Sequence, residues 1–369
     1  MKSAIRLVAI LMAMFSFSAQ AQSPIVVGQS FDSSPANAPR FKEYAKGVDA
    51  HIKRVNEQGG VNGRLIKLVR YEDAVTPEKA LANAKRLVEQ DGAMLFLGMG
   101  TTVATATILP YAEENGIPVL GSLSGAVSLR KPHPTLFHFR ASFGDEINRL
   151  ASHFSTVTIK RVAVLAADLP IGKEGIVALE SAAKVHGLEI VKIARVAADF
   201  TNLDESVAAI AGAAPQAVLV LAPAGPGIKF IEALRKSKVS AQLFGLSSMS
   251  SDSLYRSLGE QAKGVVITQV VPFPWSSKSS IARDYQKLMS DAKLPLSIDS
   301  MEGYVSVKLL VEGLKAAGLK PTRQSLVAGF EAMNRKDVGG LPVSFSAKDR
   351  SMTQYVDITM IGTAGKLQH

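Results

Sequence analysis

Short, unbroken apolar runs alternate with helix-period segments along almost the whole of this chain, and that alternation leaves few folds open. A run over 24–29 is followed by Phe41, Tyr44, Ala45, Val48, Ile52 and Val55 at the spacings of one helical face. Gly59 and Gly60 stop that helix, because glycine accepts the left-handed conformation at a helix C-terminus. Asn62-Gly63 turns the chain into a second run over 65–71. Pro77 opens a helix that carries Ala80, Ala84, Leu87 and Val88 inward; further runs cover 93–97 and 117–120. The series resumes after Arg140 with runs at 162–166, 189–196, 217–221, 243–245 and 265–268. A strand covered by helices on both faces has no polar side to alternate with, so buried parallel strands read as continuous apolar runs. The predicted class is α/β: two doubly wound, three-layer lobes.

The last third is different. Residues 279–288, 300–317 and 322–334 read as helices and 355–361 as a late strand. Helices alone cannot build a third core of that size, so they are predicted to return to the first lobe. The chain would then cross between lobes near Ser142, near 270–274 and near 339–345, and several crossovers make a hinge. The predicted division is 22–142 plus 272–341 for lobe 1 and 143–271 plus 342–369 for lobe 2.

Residues 1–21 have the layout of an export signal. Lys2 and Arg6 open it, the apolar run 7–17 is too short to span a bilayer, and Ala19-Gln20-Ala21 has the form of a cleavage site. The expected product starts at Gln22, is exported and freely soluble, and has no lipid anchor, since no cysteine follows the run. Zero cysteines also exclude disulfides, thiolate nucleophiles and cysteine-ligated metals. Loss of Lys2 and Arg6 lowers the formal charge from +10 to +8. The remaining Lys and Arg are scattered and aromatics are only 6%, which speaks for a solvated basic surface rather than a nucleic-acid partner. His51, His133, His138, His153, His186 and His369 form no ligand pair for a metal, and no G-x-S-x-G elbow is present. Neither a catalytic residue, a metal nor a cofactor is expected.

"LGMGTTVATATILP", residues 97–110, looks at first like a phosphate cradle. A dinucleotide fingerprint would need a glycine at Val103, and a Walker loop would need Gly-Lys-Ser/Thr. "PIGKEG" at 170–175 lacks the rest of a phosphate loop as well. What survives is a helix N-terminus, with unpaired N–H groups, a positive dipole end and the hydroxyls of Thr101 and Thr102, a set that holds any small oxyanion. Thr101 reads equally as an N-cap. A second hydroxyl-bearing turn, "GSLSGAVSL" at 121–129, follows the next strand, and its Ser124 either faces the same point or caps a helix.

Taken in order, "NEQGGVNGR" at 56–64, Asp73 closing the following strand, "PYAEENGIPVLG" at 110–121, "FHFRAS" at 137–142, "SMEGYVSVKLLVEGLKAAG" at 300–318 and "VGGLPVSFSAKD" at 338–349 resemble the leucine/isoleucine/valine-binding proteins, the type I periplasmic solute receptors of ABC importers. The likeness runs from 22 to 369. It implies a periplasmic location, three crossovers, a ligand cleft that closes between the lobes, a small-molecule ligand, a membrane permease as partner and a monomeric state. By resemblance, the Thr102 hydroxyl holds the ligand carboxylate, and Leu123 and Gly125, with Ser124 between them, supply backbone contacts. The acid that meets the ligand ammonium in the second lobe falls at Ser247, and two aromatic places fall at Ile171 and Pro223; none of the three is kept.

A buried ammonium without a carboxylate costs several kcal/mol, so a carboxylate lacking an α-ammonium fits better than a branched-chain amino acid. Asp168, Asp32 and Glu302 are candidates to replace the missing acid, each equally readable as a helix cap or solvated acid. Phe31 and Tyr304 are candidate apolar walls, or core residues. The leading reading is a solute receptor for import. The alternatives are a sensor of the same fold that reports a metabolite to a regulatory partner, and an exported hydrolase.

Overall fold

The computed structural model describes residues 23–369 apart from 33, 35, 36 and 238; the signal expected at 1–21 lies outside the described residues. The elements run β1 (Ile25–Phe31), α1 (Ala38–Glu57), β2 (Ile66–Glu72), α2 (Pro77–Glu89), β3 (Leu95–Met99), α3 (Thr102–Glu114), β4 (Val119–Ser122) and β5 (Leu136–Phe137). They continue with α4 (Phe143–Thr156), β6 (Arg161–Ala167), α5 (Pro170–His186), β7 (Glu189–Val196), α6 (Leu203–Gly212), β8 (Ala217–Leu221), α7 (Ala224–Lys236), β9 (Gln242–Gly245), α8 (Ser251–Leu258) and β10 (Val266–Gln269). Last come α9 (Ser280–Asp291), α10 (Ile298–Ala317), α11 (Arg323–Glu331), β11 (Lys336–Asp337), β12 (Pro342–Val343), β13 (Asp357–Ile361) and β14 (Leu367–Gln368).

Two sheets result. The first is parallel, in the order β2-β1-β3-β4-β5, with Ile25 opposite Ile66, Val27 opposite Leu95 and Leu97 opposite Leu120. The second repeats the pattern as β7-β6-β8-β9-β10, and β13 and β14 extend it antiparallel beyond β10. Every residue of β3 and β8 is buried, which is why their sequences show no alternation. Each order reverses beside its first strand, so each sheet has a switch point whose carboxyl ends open a crevice.

The late helices do cover the first sheet. Met301, Val305 and Leu309 of α10 share one core with Val27, Leu97 and Phe137. Helix α10 crosses α1 backbone against backbone: a Cβ on Gly47 would stand 1.9 Å from the Ser300 carbonyl oxygen, and one on Gly303 would stand 2.1 Å from that of Tyr44. Only hydrogen fits at either place.

The third passage between the sheets lies further along than the expected 339–345. Val343, Phe345 and Met352 still belong to the first core. The Phe345 ring packs edge-on to Phe137 at 5.3 Å, and Met352 N–H donates to the His138 carbonyl at 2.7 Å. These anchors hold the chain against β5 until after Met352, and it joins the second sheet only at Asp357. The two-residue strands β5, β11, β12 and β14 are too short to leave an apolar run; Ala45 is half-buried, and Val88, also half-buried, packs against the same core as Ala84 and Leu87.

The glycine crossing yields a direct test. Gly303→Ala forces α1 and α10 apart and should lower stability by about 2 kcal/mol or more, at the upper end of overpacking costs. An unchanged urea midpoint and slope would show that the two helices do not approach this closely.

Candidate functional site

The carboxyl ends of both sheets converge on a cavity of ≈ 140 Å³. From the first sheet come Gly100 to Val103 after β3 and Leu123 and Ser124 after β4, with Asn37 and Arg40 at the start of α1. From the second come Leu169, Pro170 and Ile171 after β6, Pro223 after β8 and Ser248 after β9. The space is smaller than the usual ≈ 300–1,000 Å³ of drug-sized pockets, so its guest is small.

At the α3 N-terminus, Thr101 is the N-cap, with its hydroxyl oxygen accepting from Ala104 N–H at 3.1 Å. That leaves the N–H groups of the first helical residues open to the cavity side, as at any helix start. The Thr102 hydroxyl lies 2.6 Å from that of Ser124, which also accepts from Ala126 N–H at 3.0 Å. Ser124 thus faces Thr102 and closes its own turn, but caps no helix, since the short helix that follows has Ala126 at its N-cap and no side-chain cap. Leu123 borders the cavity, but its backbone is occupied: its N–H donates to Met99, and its carbonyl accepts from Arg40 at 3.2 Å and Arg140 at 2.6 Å. Gly125 stands behind the wall, its carbonyl accepting from Phe143 N–H at 2.6 Å.

Below the cavity lies a buried charge network. Arg140, 0% exposed, reaches Glu302 at 3.3 Å, Glu146 at 3.3 Å and the Ser247 hydroxyl. Glu146 accepts from Ser247 N–H at 2.8 Å, Ser247 Oγ at 3.0 Å and Thr268 Oγ1 at 2.5 Å. Ser247 therefore sits beside a carboxylate, but one saturated by the protein itself; its neighbour Ser248 is the residue that borders the cavity. Glu302 holds Arg40 at 2.7 Å as well as Arg140. Burial alone would lower the Arg40 pKa, but the carboxylates of Glu302 and Asp299 outweigh it and hold the guanidinium above its ordinary value.

Several candidates lie elsewhere. Asp168 is exposed and pairs with Lys173 at 3.0 Å. Asp32 is buried in its own loop, accepting from Ser34 N–H at 2.6 Å and Asn37 Nδ2 at 2.5 Å. Phe31 packs on Phe41, centroids 5.5 Å apart, beside a separate apolar recess. Tyr304 stacks on His51 at 4.4 Å in the core of α1 and α10. Glu302 belongs to the network rather than to the cavity wall. Ile171 and Pro223 do line the cavity, as apolar surface.

Two important residues escaped the sequence reading. Arg40 carried one usable signal, a cation in the first turn of a helix with no acid beside it, where the helix dipole disfavours positive charge. Glu146 carried none, because Asp145 next to it already explains an acid at that helix start by closing a capping box with Ser142.

A family model described as periplasmic binding protein matches residues 24–366. The chain belongs to the periplasmic binding protein family. That family is one of substrate-binding proteins rather than enzymes. Among solved structures, a possible leucine/isoleucine/valine-binding protein from Rhodopirellula baltica is 25% identical, with TM-score 0.87 over 94% of this chain and 96% of its own. A substrate-binding periplasmic protein from Ralstonia solanacearum is 28% identical, with TM-score 0.85 over 93% and 99%. Among curated proteins, an amino acid binding protein of Pseudomonas aeruginosa is 35% identical over 100 residues, 27% of either chain. The chain thus spans about a quarter of that relative's length. The fold is the type I periplasmic-binding fold. No helix among the described residues is long and apolar enough to cross a membrane, and no cluster of three metal-binding side chains occurs among them.

In this binding protein the two sheets also meet along a seam beside the cavity, where α8 packs on the starts of α1 and α10. Ser250 Oγ donates to Asp299 Oδ2 at 2.5 Å, and Arg256 to Glu43 at 2.5 Å. Burial raises the Asp299 pKa to about 7; Arg40 opposes the rise, while Asp252 and Glu302 add to it. Burial likewise raises Asp252 to about 6, against Arg256 and with Glu43. Both acids bind protons more tightly in the fold than in the unfolded chain, whose carboxylates titrate near ~4. Their contribution is therefore fully present at low pH and falls as pH rises from ~4 through 7. The melting temperature should decline between pH 5 and pH 8, and Asp299→Asn should flatten that decline. An equally steep profile in the variant would remove Asp299 as its source.

Proposed function

We propose that this chain is the solute-binding receptor of an ABC importer of the branched-chain amino-acid transport type, and that it captures a small carboxylate-bearing ligand lacking an α-ammonium. Ligand closes the two lobes, and the closed form delivers its cargo to a membrane permease. The observation that carries the ligand class is the composition of the cavity wall. It offers hydroxyls, an amide, a cation and a helix N-terminus, and among the described residues no carboxylate borders it. The nearby buried acids, Glu146, Glu302 and Asp299, are already paired with Arg140, Arg40, Ser247 and Ser250. An ammonium in this space would be buried without a partner, which costs several kcal/mol.

The test is a thermal-shift screen of benzoate, 3-methylbutanoate and 4-methyl-2-oxopentanoate against leucine and valine, with calorimetry on each hit. An acid at 100 times its dissociation constant should stabilise the protein by about 2.7 kcal/mol. Tight binding of leucine or valine with no response to the acids would overturn the ligand class. Thr102→Val should weaken binding by about 1 kcal/mol or more, since a charge-assisted hydrogen bond is lost; equal affinity in the variant would take Thr102 out of the site.

A further inference from the structure

We propose that Arg40 is the residue that binds the ligand's carboxylate, and that the ligand is a monocarboxylate whose other end is apolar. This rests on the receptor reading above and adds to it a specificity-determining cation. Among the described residues lining the cavity Arg40 is the one charged side chain, in company with Thr101, Thr102 and Ser124. It is only 9% exposed. Its Nη2 is anchored by Glu302 at 2.7 Å and its Nη1 by the Leu123 carbonyl at 3.2 Å. Its Nε is shielded from solvent and makes no hydrogen bond, although Asp299 Oδ1 lies 3.4 Å away. A guanidinium presents five N–H groups in a planar fork, so donors remain after both anchors are counted. A buried donor left unmade is costly, and the cavity beside Arg40 is where an acceptor can enter.

Helix electrostatics point the same way. A cation in the first turn of α1 stands against the positive end of that helix, and no acid in the turn offsets it. The N-terminus of α3 adds a second positive end on the same cavity. Glu302 and Asp299 balance the Arg40 charge from the protein side, and a guest anion on the cavity side would meet both the fork and the α3 end. Apart from these groups and Asn37, the lining is largely apolar, through Val75, Phe143, Leu169, Ile171 and Pro223, with Ser248 as a further polar residue. A second charge on the ligand would be desolvated there without a partner. The anion is therefore single, and the body behind it is small and apolar.

Calorimetry with matched acid and amide probes tests this: benzoate against benzamide, and 3-methylbutanoate against 3-methylbutanamide. Wild type should prefer each acid. Arg40→Met should lower acid affinity about 10- to 150-fold, the range for a hydrogen bond to a charged group, and leave amide affinity unchanged, so that the preference collapses. Retained amide binding also reports that the variant is folded. An undiminished preference for acid over amide in Arg40→Met would overturn the proposal while leaving the receptor reading intact. Arg40→Lys keeps charge and stem and covers the case in which the methionine variant does not fold. It should lose about tenfold toward the acids and nothing toward the amides, because a point charge replaces a fork; wild-type acid affinity in that variant would equally overturn the proposal. Failure of every acid to bind wild type would instead bring down the receptor reading on which the proposal rests.

Discussion

Arg140 is a full positive charge with no access to water, and the arrangement of the cleft follows from what it takes to keep it there. It leaves β5 at the first passage between the sheets and reaches Glu302 on the first side and Glu146 and Ser247 on the second. Removing one member of such a group leaves an uncompensated buried charge, at a cost of about 3–5 kcal/mol. The acceptors around it are therefore committed before any ligand arrives: both Glu146 oxygens, Glu302 and the Leu123 carbonyl all face protein donors. What the cavity has left to offer is mostly donors. A preference for anions is thus a by-product of satisfying the floor beneath the cavity.

The framework that delivers those donors is the same strand order used twice. With each sheet reversing beside its first strand, the carboxyl ends of β3, β4, β6, β8 and β9 bring their following turns to one small space. The wall is divided by chemistry as well as by lobe. The first side carries the cation and most of the hydroxyls, while the second contributes Leu169, Pro170, Ile171 and Pro223, with Ser248 as its hydroxyl. The seam at Ser250–Asp299 and Arg256–Glu43 joins the same two sides by polar contacts that a change in their separation would break.

The fold was largely legible in the sequence because its signals are local. The runs at 189–196 and 217–221 coincide with β7 and β8, and Pro77 starts α2. Part of the cavity wall was legible for the same reason: Thr102 and Ser124 lie at turns that any strand-to-helix junction announces. The rest depends on partners far apart in the chain. Arg40 and Glu302 are 262 residues apart, and Glu146 and Ser247 are 101 apart. No window along the sequence contains either pair, so Glu302 read as one acid among several, Glu146 was passed over, and Asp168 was raised as a candidate because it follows a strand. The late crossing after Met352 was hidden in a similar way, since Phe345 and Met352 look like loop residues until Phe137 and His138 are placed beside them.

The way the second sheet is finished bears on how the molecule comes into being. Its β10 edge is completed by β13 and β14, the final residues of the chain, and the first sheet is roofed by α10, nearly 300 residues after β1 begins. A polypeptide made from its N-terminus onward can close neither half until α10 and β13 have been made, although domains usually fold as units in order of synthesis. Until then β10 is an unpaired edge, a template for wrong pairing, and the first sheet lacks its α10 cover. Loss of residues 357–369 would leave that edge open rather than trim a dispensable tail.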